Sequence, residues 1–194
     1  WLIVILFNFN LGMMLYSVLH NELWQTPLPF TSLSHEQFVK LQQASAKQTI
    51  EGLVMGALIR NNVKLERADA LLAYSRTMMI EQLNRKVNAV AKELATILAN
   101  DDIDYRIFKG QTLALLYPHP ETRMPGDIDF YCVPNHFARA QQLLQKAWGI
   151  TLGGEESMQH RDFSYKDVPL EMHFCMMKFN SNAIQTYWER LLAE

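Results

Sequence analysis

The chain has 194 residues, 49% hydrophobic and 20% charged, the balance of a folded protein with a real core rather than of a disordered one. Its 18 Lys and Arg against 20 Asp and Glu leave a net charge of -2, without the basic excess that wrapping duplex nucleic acid requires. Two cysteines, Cys132 and Cys175, build no disulfide framework and no Cys/His spacing suits zinc, so free thiols in a reducing, cytoplasmic setting are expected.

Trp1 to Leu19 holds no charged residue and approaches the length of a membrane span. Asn8, Asn10 and Ser17 interrupt it, no Lys or Arg precedes it, and no small-residue cleavage site follows. Phe7, Leu11, Met14, Leu15 and Val18 recur at helical spacing, which predicts a buried helix and no membrane association. Thr26-Pro27-Leu28-Pro29 closes it. Ser34, with Gln37 three residues on, reads as the N-cap of a helix running to about Arg60. Its inner side would carry Phe38, Leu41, Ala44, Ile50, Leu53, Val54 and Ala57. After a turn at Asn61-Asn62, Lys64 to Ala99 contains neither Gly nor Pro. Leu72, Met79, Leu83, Val87, Val90, Leu94 and Ile97 recur there at helical spacing and predict one long helix packing through that stripe.

The pattern changes at Asn100-Asp101-Asp102. Tyr105 to Phe108 is a short β-prone run, Gly110 breaks it, and Gln111 to Tyr117 fits two helical turns before Pro118. A loop follows from His119 to Gly126. Asp127 to Val133 alternates like a strand, and Pro134 opens a helix ending near Trp148 and Gly149. His160–Tyr165 and Val168–Phe174 form a hairpin turned at Lys166-Asp167. Helices first and strands later define an α+β chain: a helical region over 1–100 and a small mixed-sheet core over 101–194.

The chemistry concentrates in the second half. Residues i and i+2 of a strand share a side, so Asp127 and Asp129 place two carboxylates together. Such a pair is tolerable if solvated, if one member is protonated, or if a divalent cation such as Mg²⁺ neutralises it. Glu171 and His173 likewise share one side of a later strand, while Leu170, Met172 and Phe174 take the other. If those strands are neighbours, three acids converge, enough to hold the metals of in-line phosphoryl chemistry. Lys109 and Gly110 stand at a strand-to-helix junction, where a close backbone approach and helix N–H groups suit phosphate. Arg123 offers a bidentate phosphate clamp.

Lys109-Gly110-Gln111, Tyr117-Pro118, Arg123, Gly126-Asp127-Ile128-Asp129 and Glu171-Met172-His173, in that order, resemble the uncharacterised nucleotidyltransferase family of the polymerase-beta-like superfamily. Ala46-Lys47-Gln48 and Glu51-Gly52-Leu53 in the helical half also resemble it. Lys109-Gly110 replaces the Gly-Ser pair general in the superfamily, and Glu171 is one methylene longer than the usual Asp. The resemblance implies transfer of a nucleoside monophosphate from an NTP, ATP above all, to an acceptor hydroxyl. Asp127, Asp129 and Glu171 would be catalytic and would bind Mg²⁺ or Mn²⁺. Lys109, Gly110, Gln111, Arg123 and Gly126 would bind the nucleotide, and His173 would orient Glu171 or wall the site. Family members continue past the last strand, so a fragment lacking a C-terminal substrate-binding part is expected. The competing reading is an inactive nucleotide-binding or protein-partner module of the same fold.

Overall fold

The computed structural model describes residues 2–152 and 159–193, with side chains described from residue 11 to 152 and from 159 to 191. Among the described residues are seven helices and one four-stranded mixed sheet, an α+β chain with the helices leading. It forms two compact units: Trp1–Arg85 with Ala114–Pro125, and Lys86–Leu113 with Gly126–Glu194.

The first unit is built on α1 (Leu2–Trp24), α2 (His35–Lys47), α3 (Glu51–Arg60) and the start of α4 (Arg67–Asn100). Leu11, Met14 and Leu15 of α1 pack against a core that includes Val18, Phe38, Leu41 and Leu58. Phe7, expected on the same face, lies outside the described side chains. Among the described residues no helix is long and apolar enough to cross a membrane. The expected N-cap of α2 is a full capping box: Gln37 N–H donates to Ser34 Oγ at 3.3 Å, and Ser34 N–H to Gln37 Oε1 at 2.9 Å.

Two expectations fail in this unit. The helix from Ser34 does not run unbroken to Arg60; it stops at Lys47, Thr49 turns left-handed at φ 56°, and α3 starts afresh at Glu51. The cause is tertiary. Every residue of α3 from Glu51 to Leu58 is buried, and the Glu51 carboxylate accepts from Gln42 Nε2 at 2.8 Å and Arg76 Nη2 at 2.5 Å. A Cβ on Gly52 would lie 2.2 Å from the Thr122 carbonyl, so glycine lets α3 approach that loop. The second failure is in α4. Leu72, Met79 and Leu83 are exposed, whereas Ala73, Thr77, Ile80 and Asn84 are buried. Asn84 Nδ2 donates to the carbonyls of Glu121 and Arg123 at 2.8 and 2.7 Å, which draws a polar residue inward. From Val87 onward the expected stripe holds, with Val87, Val90 and Leu94 buried.

The second unit takes the rest of α4, then β1 (Tyr105–Phe108), α5 (Gly110–Ala114) up to Leu113, β2 (Ile128–Cys132), α6 (Pro134–Trp148), β3 (His160–Tyr165), β4 (Val168–His173) and α7 (Asn182–Ala193). The sheet order is β1-β2-β4-β3, antiparallel except for the parallel β2/β4 pair. Leu94, Leu98, Phe130, Leu144, Leu170 and Met172 fill its core; each such burial stabilises by about 1.5–3 kcal/mol. Lys166 and Asp167, both left-handed at φ 50° and 55°, make the mirror-image turn that matches the twist of the β3/β4 hairpin. Three boundaries move from expectation. Asp127 stands one residue before β2, Val133 caps α6 instead of ending the strand, and α5 is five residues rather than two full turns. A helix that short supplies little macrodipole.

Candidate functional site

Alternation along β2 decides which groups meet. Ile128, Phe130 and Cys132 enter the core, so Asp129 and Tyr131 take the opposite side. In the parallel neighbour, Leu170 and Met172 enter the same core, Glu171 stands opposite Asp129, and His173 opposite Tyr131. A slip of one residue would bury Glu171 and His173 and expose Leu170 and Met172, so the apolar set fixes this register. Asp127, Asp129 and Glu171 thereby present carboxylate oxygens within 4.8 Å of one another. Asp129 is buried; Asp127 and Glu171 are half-buried.

Two further side chains tie the acids together. Lys109 Nζ donates to Asp129 Oδ1 at 2.6 Å. His173 Nε2 lies 3.1 Å from the same oxygen and 3.2 Å from Glu171 Oε2, so one N–H serves both carboxylates. Burial lowers the His173 pKa, and the hydrogen bond and charge of Asp129 oppose that shift. With the proton on Nε2, the buried and unpartnered Nδ1 is a bare acceptor. Burial, a hydrogen bond to Asp129 that only the protonated form makes, and the charges of Asp129 and Asp127 push Glu171 upward. The hydrogen bond to Asp129 raises the Lys109 pKa, and the other acids add to it.

Backbone geometry sets Lys109 in place. It adopts φ 56° between β1 and α5, a left-handed conformation that costs a non-glycine residue about 1–2 kcal/mol. A Cβ on Gly110 would lie 3.2 Å from the Asp127 carbonyl, so Gly110 lets α5 approach the acid strand.

The other sequence-selected residues fare differently. The Gln111 amide donates to Asn88 of α4. A Cβ on Gly126 would meet open space and its φ is not left-handed, so nothing local requires glycine there. Arg123 belongs to the first unit, where it follows a 3₁₀ turn at Pro120–Thr122 and Nη1 donates to the Met124 carbonyl at 3.2 Å. Sequence reasoning missed His160, which β3 sets opposite His173 with ring centroids 4.9 Å apart. His160, Glu171 and His173 form a second group with ligand atoms within 4.8 Å. Counting back from the Lys166-Asp167 turn pairs 160 with 173 and would have found it.

Three hard carboxylate oxygens facing one ammonium leave an excess of negative charge that a divalent cation such as Mg²⁺ or Mn²⁺ would balance, and the donor set fits such an ion. Acids gathered this closely are of the kind that can hold the metal ions of in-line phosphoryl transfer. The family model described as uncharacterised nucleotidyltransferase matches residues 34–194, and the chain belongs to that family. No curated protein and no solved structure matches the chain.

Proposed function

We propose that the protein transfers a nucleoside monophosphate from an NTP, preferentially ATP, to an acceptor hydroxyl in the cytoplasm, with residues 101–194 as its catalytic part and 1–100 as a helical region. The observation that supports this reading most is the convergence of Asp127, Asp129 and Glu171 within 4.8 Å. These acids would hold Mg²⁺ or Mn²⁺, which when bound lowers the pKa of the acceptor hydroxyl and offsets phosphate charge. His173, shared between Asp129 and Glu171, fixes the orientation of both carboxylates. Lys109 exchanges its Asp129 contact for phosphate oxygens and neutralises charge on the departing pyrophosphate. Gly110, packed close to the Asp127 carbonyl, enters as a nucleotide-binding residue on the sequence pattern. Gln111, Arg123 and Gly126 enter as nucleotide-binding residues on the sequence pattern alone. In the reaction the acceptor oxygen bonds to the α-phosphorus, the bond from that phosphorus to the bridging oxygen breaks, pyrophosphate leaves, and the hydroxyl proton passes to water.

The test is incubation with each α-labelled NTP, Mg²⁺ or Mn²⁺, and cell extract. A labelled macromolecule or small molecule is expected with the wild type and none with Asp129→Asn. No label from any NTP, with Mg²⁺-dependent ATP binding retained, would leave an inactive nucleotide-binding module.

A further inference from the structure

The second unit contains a cavity of about 440 Å³ at the carboxyl ends of the parallel strands β2 and β4. Crevices at that end of parallel strands are where open α/β sheets bind ligands. Tyr131 lines it from β2, Phe174 from just past β4, Met177 from the following loop, and Trp188 and Glu189 from α7. Tyr131 is on the Asp129 side of β2, two residues on, which puts the cavity about 7 Å along the strand from the acids. The volume suits a small organic molecule and not a macromolecule.

The lining says what kind of molecule. Asp104 and Glu189 contribute carboxylates, and no Lys or Arg lines the cavity. Such a wall repels a triphosphate or an RNA end, whereas Lys109 beside the acid cluster attracts one. Two residues of the lining carry N–H donors. Trp188 Nε1 is buried without a hydrogen-bond partner. His136 Nδ1 accepts from the Asp104 N–H at 2.9 Å, which leaves Nε2 to carry its proton. Phe174 and Met177 offer an apolar, adaptable surface.

We infer that this cavity is the acceptor subsite and that the acceptor is a small neutral or cationic compound with an apolar body and a hydroxyl group, not a nucleic acid or another polyanion. The inference rests on the transferase reading above.

Two experiments separate the two claims. Met177→Trp, or Cys175→Phe should that variant not fold, fills the cavity without touching Lys109 or the acids. Label transfer in the extract assay should fall at least tenfold while Mg²⁺-dependent ATP binding changes less than twofold. Unchanged transfer, or ATP binding lost in parallel, would overturn the inference. The second experiment needs no turnover. With 5-fluorotryptophan incorporated and the Trp188 resonance assigned through Trp188→Phe, tyramine should shift that resonance and 4-hydroxyphenylacetate, its anionic counterpart, should not. Asp127→Asn should leave the shift intact. Equal response to the anion, or none to tyramine, would sink the cavity assignment. A tyramine response without label transfer or Mg²⁺-ATP binding would instead sink the transferase reading.

Discussion

The two units treat buried acids in opposite ways. In the first, Glu22, Glu51 and Asp69 are all buried, and each has one basic partner: Arg60, Arg76 and His35. In the second, the buried Asp129 and the half-buried Asp127 and Glu171 cluster within 4.8 Å, with Lys109 paired to Asp129 and His173 between Asp129 and Glu171. One-to-one pairing is what a fold needs, because an unpaired buried charge costs several kcal/mol. Three acids on one ammonium is a charge excess that the fold alone does not require. The contrast separates acids that hold the structure from acids available to a ligand.

The largest effect tests that contrast directly. Asp129→Asn should reduce Mg²⁺-dependent label transfer by roughly a thousandfold, as should removal of Mg²⁺ by a chelator. The thermal midpoint of the metal-free variant should hold or rise, since one repelling carboxylate is gone. Unfolding of the variant would place Asp129 with the structural acids.

The converse applies to Glu51. Glu51→Ala strands Arg76 and Gln42 and should destabilise the protein by about 3 kcal/mol in chemical denaturation. Burial pushes the Glu51 pKa up, but the hydrogen bonds from Arg76 and Gln42 and the Arg76 charge win, so the net shift is downward. A depressed carboxylate contributes stability that is present above its unfolded value, about 4.3, and is lost as pH falls through the folded one. The wild type should therefore lose stability on acidification below about pH 4.3 more steeply than Glu51→Gln. Equal slopes would remove Glu51 from the structural set.

What the sequence shows and hides divides along similar physical lines. The Ser34–Gln37 box, the Lys166-Asp167 turn and the alternation of Ile128 to Cys132 are local, so they read directly from residue order. The acid convergence is one step removed, needing only strand adjacency and the apolar set of β4 to fix its register. The break between α2 and α3 is hidden because it serves a Glu51–Arg76 pair spanning 25 residues. The inward face at the start of α4 is hidden because small and polar residues occupy it while leucines face out. The cavity is hidden because its walls come from two strand ends and from α7, which no motif marks.

Lys109 tests the boundary between the two kinds of site. Lys109→Gly removes the ammonium and also the left-handed penalty of about 1–2 kcal/mol. The Lys109–Asp129 pair joins a half-exposed ammonium to a buried carboxylate that keeps its contact with His173 Nε2, so the loss of the ion pair is set against the relief of the left-handed backbone. Stability in the metal-free state should then stay level or rise slightly, while transfer drops by roughly tenfold through weaker triphosphate binding. Denaturation and the NTP dependence of label transfer would measure both. A clear loss of stability would make the ion pair, and not the charge excess, the feature the fold depends on.

The smallest effect lies in the pair of the first unit whose base is a histidine, His35 with Asp69. The hydrogen bond to Asp69 raises the His35 pKa, the charges of Asp69 and Glu66 support it, and slight desolvation opposes it. A raised histidine contributes stability that is fully present below its unfolded value, about 6.5, and is lost as pH rises through the folded one. His35 is exposed, so solvent screens much of this, and the slope should be shallow. Thermal midpoints of wild type and His35→Gln at pH 5.5 and 8.5 would measure it. The wild type should lead by more at the lower pH, with the difference shrinking at the higher. A difference that does not change with pH would mean that His35 holds Asp69 through a neutral hydrogen bond. The first unit would then keep one buried acid without a cation, and the one-to-one rule would rest on the two arginines alone.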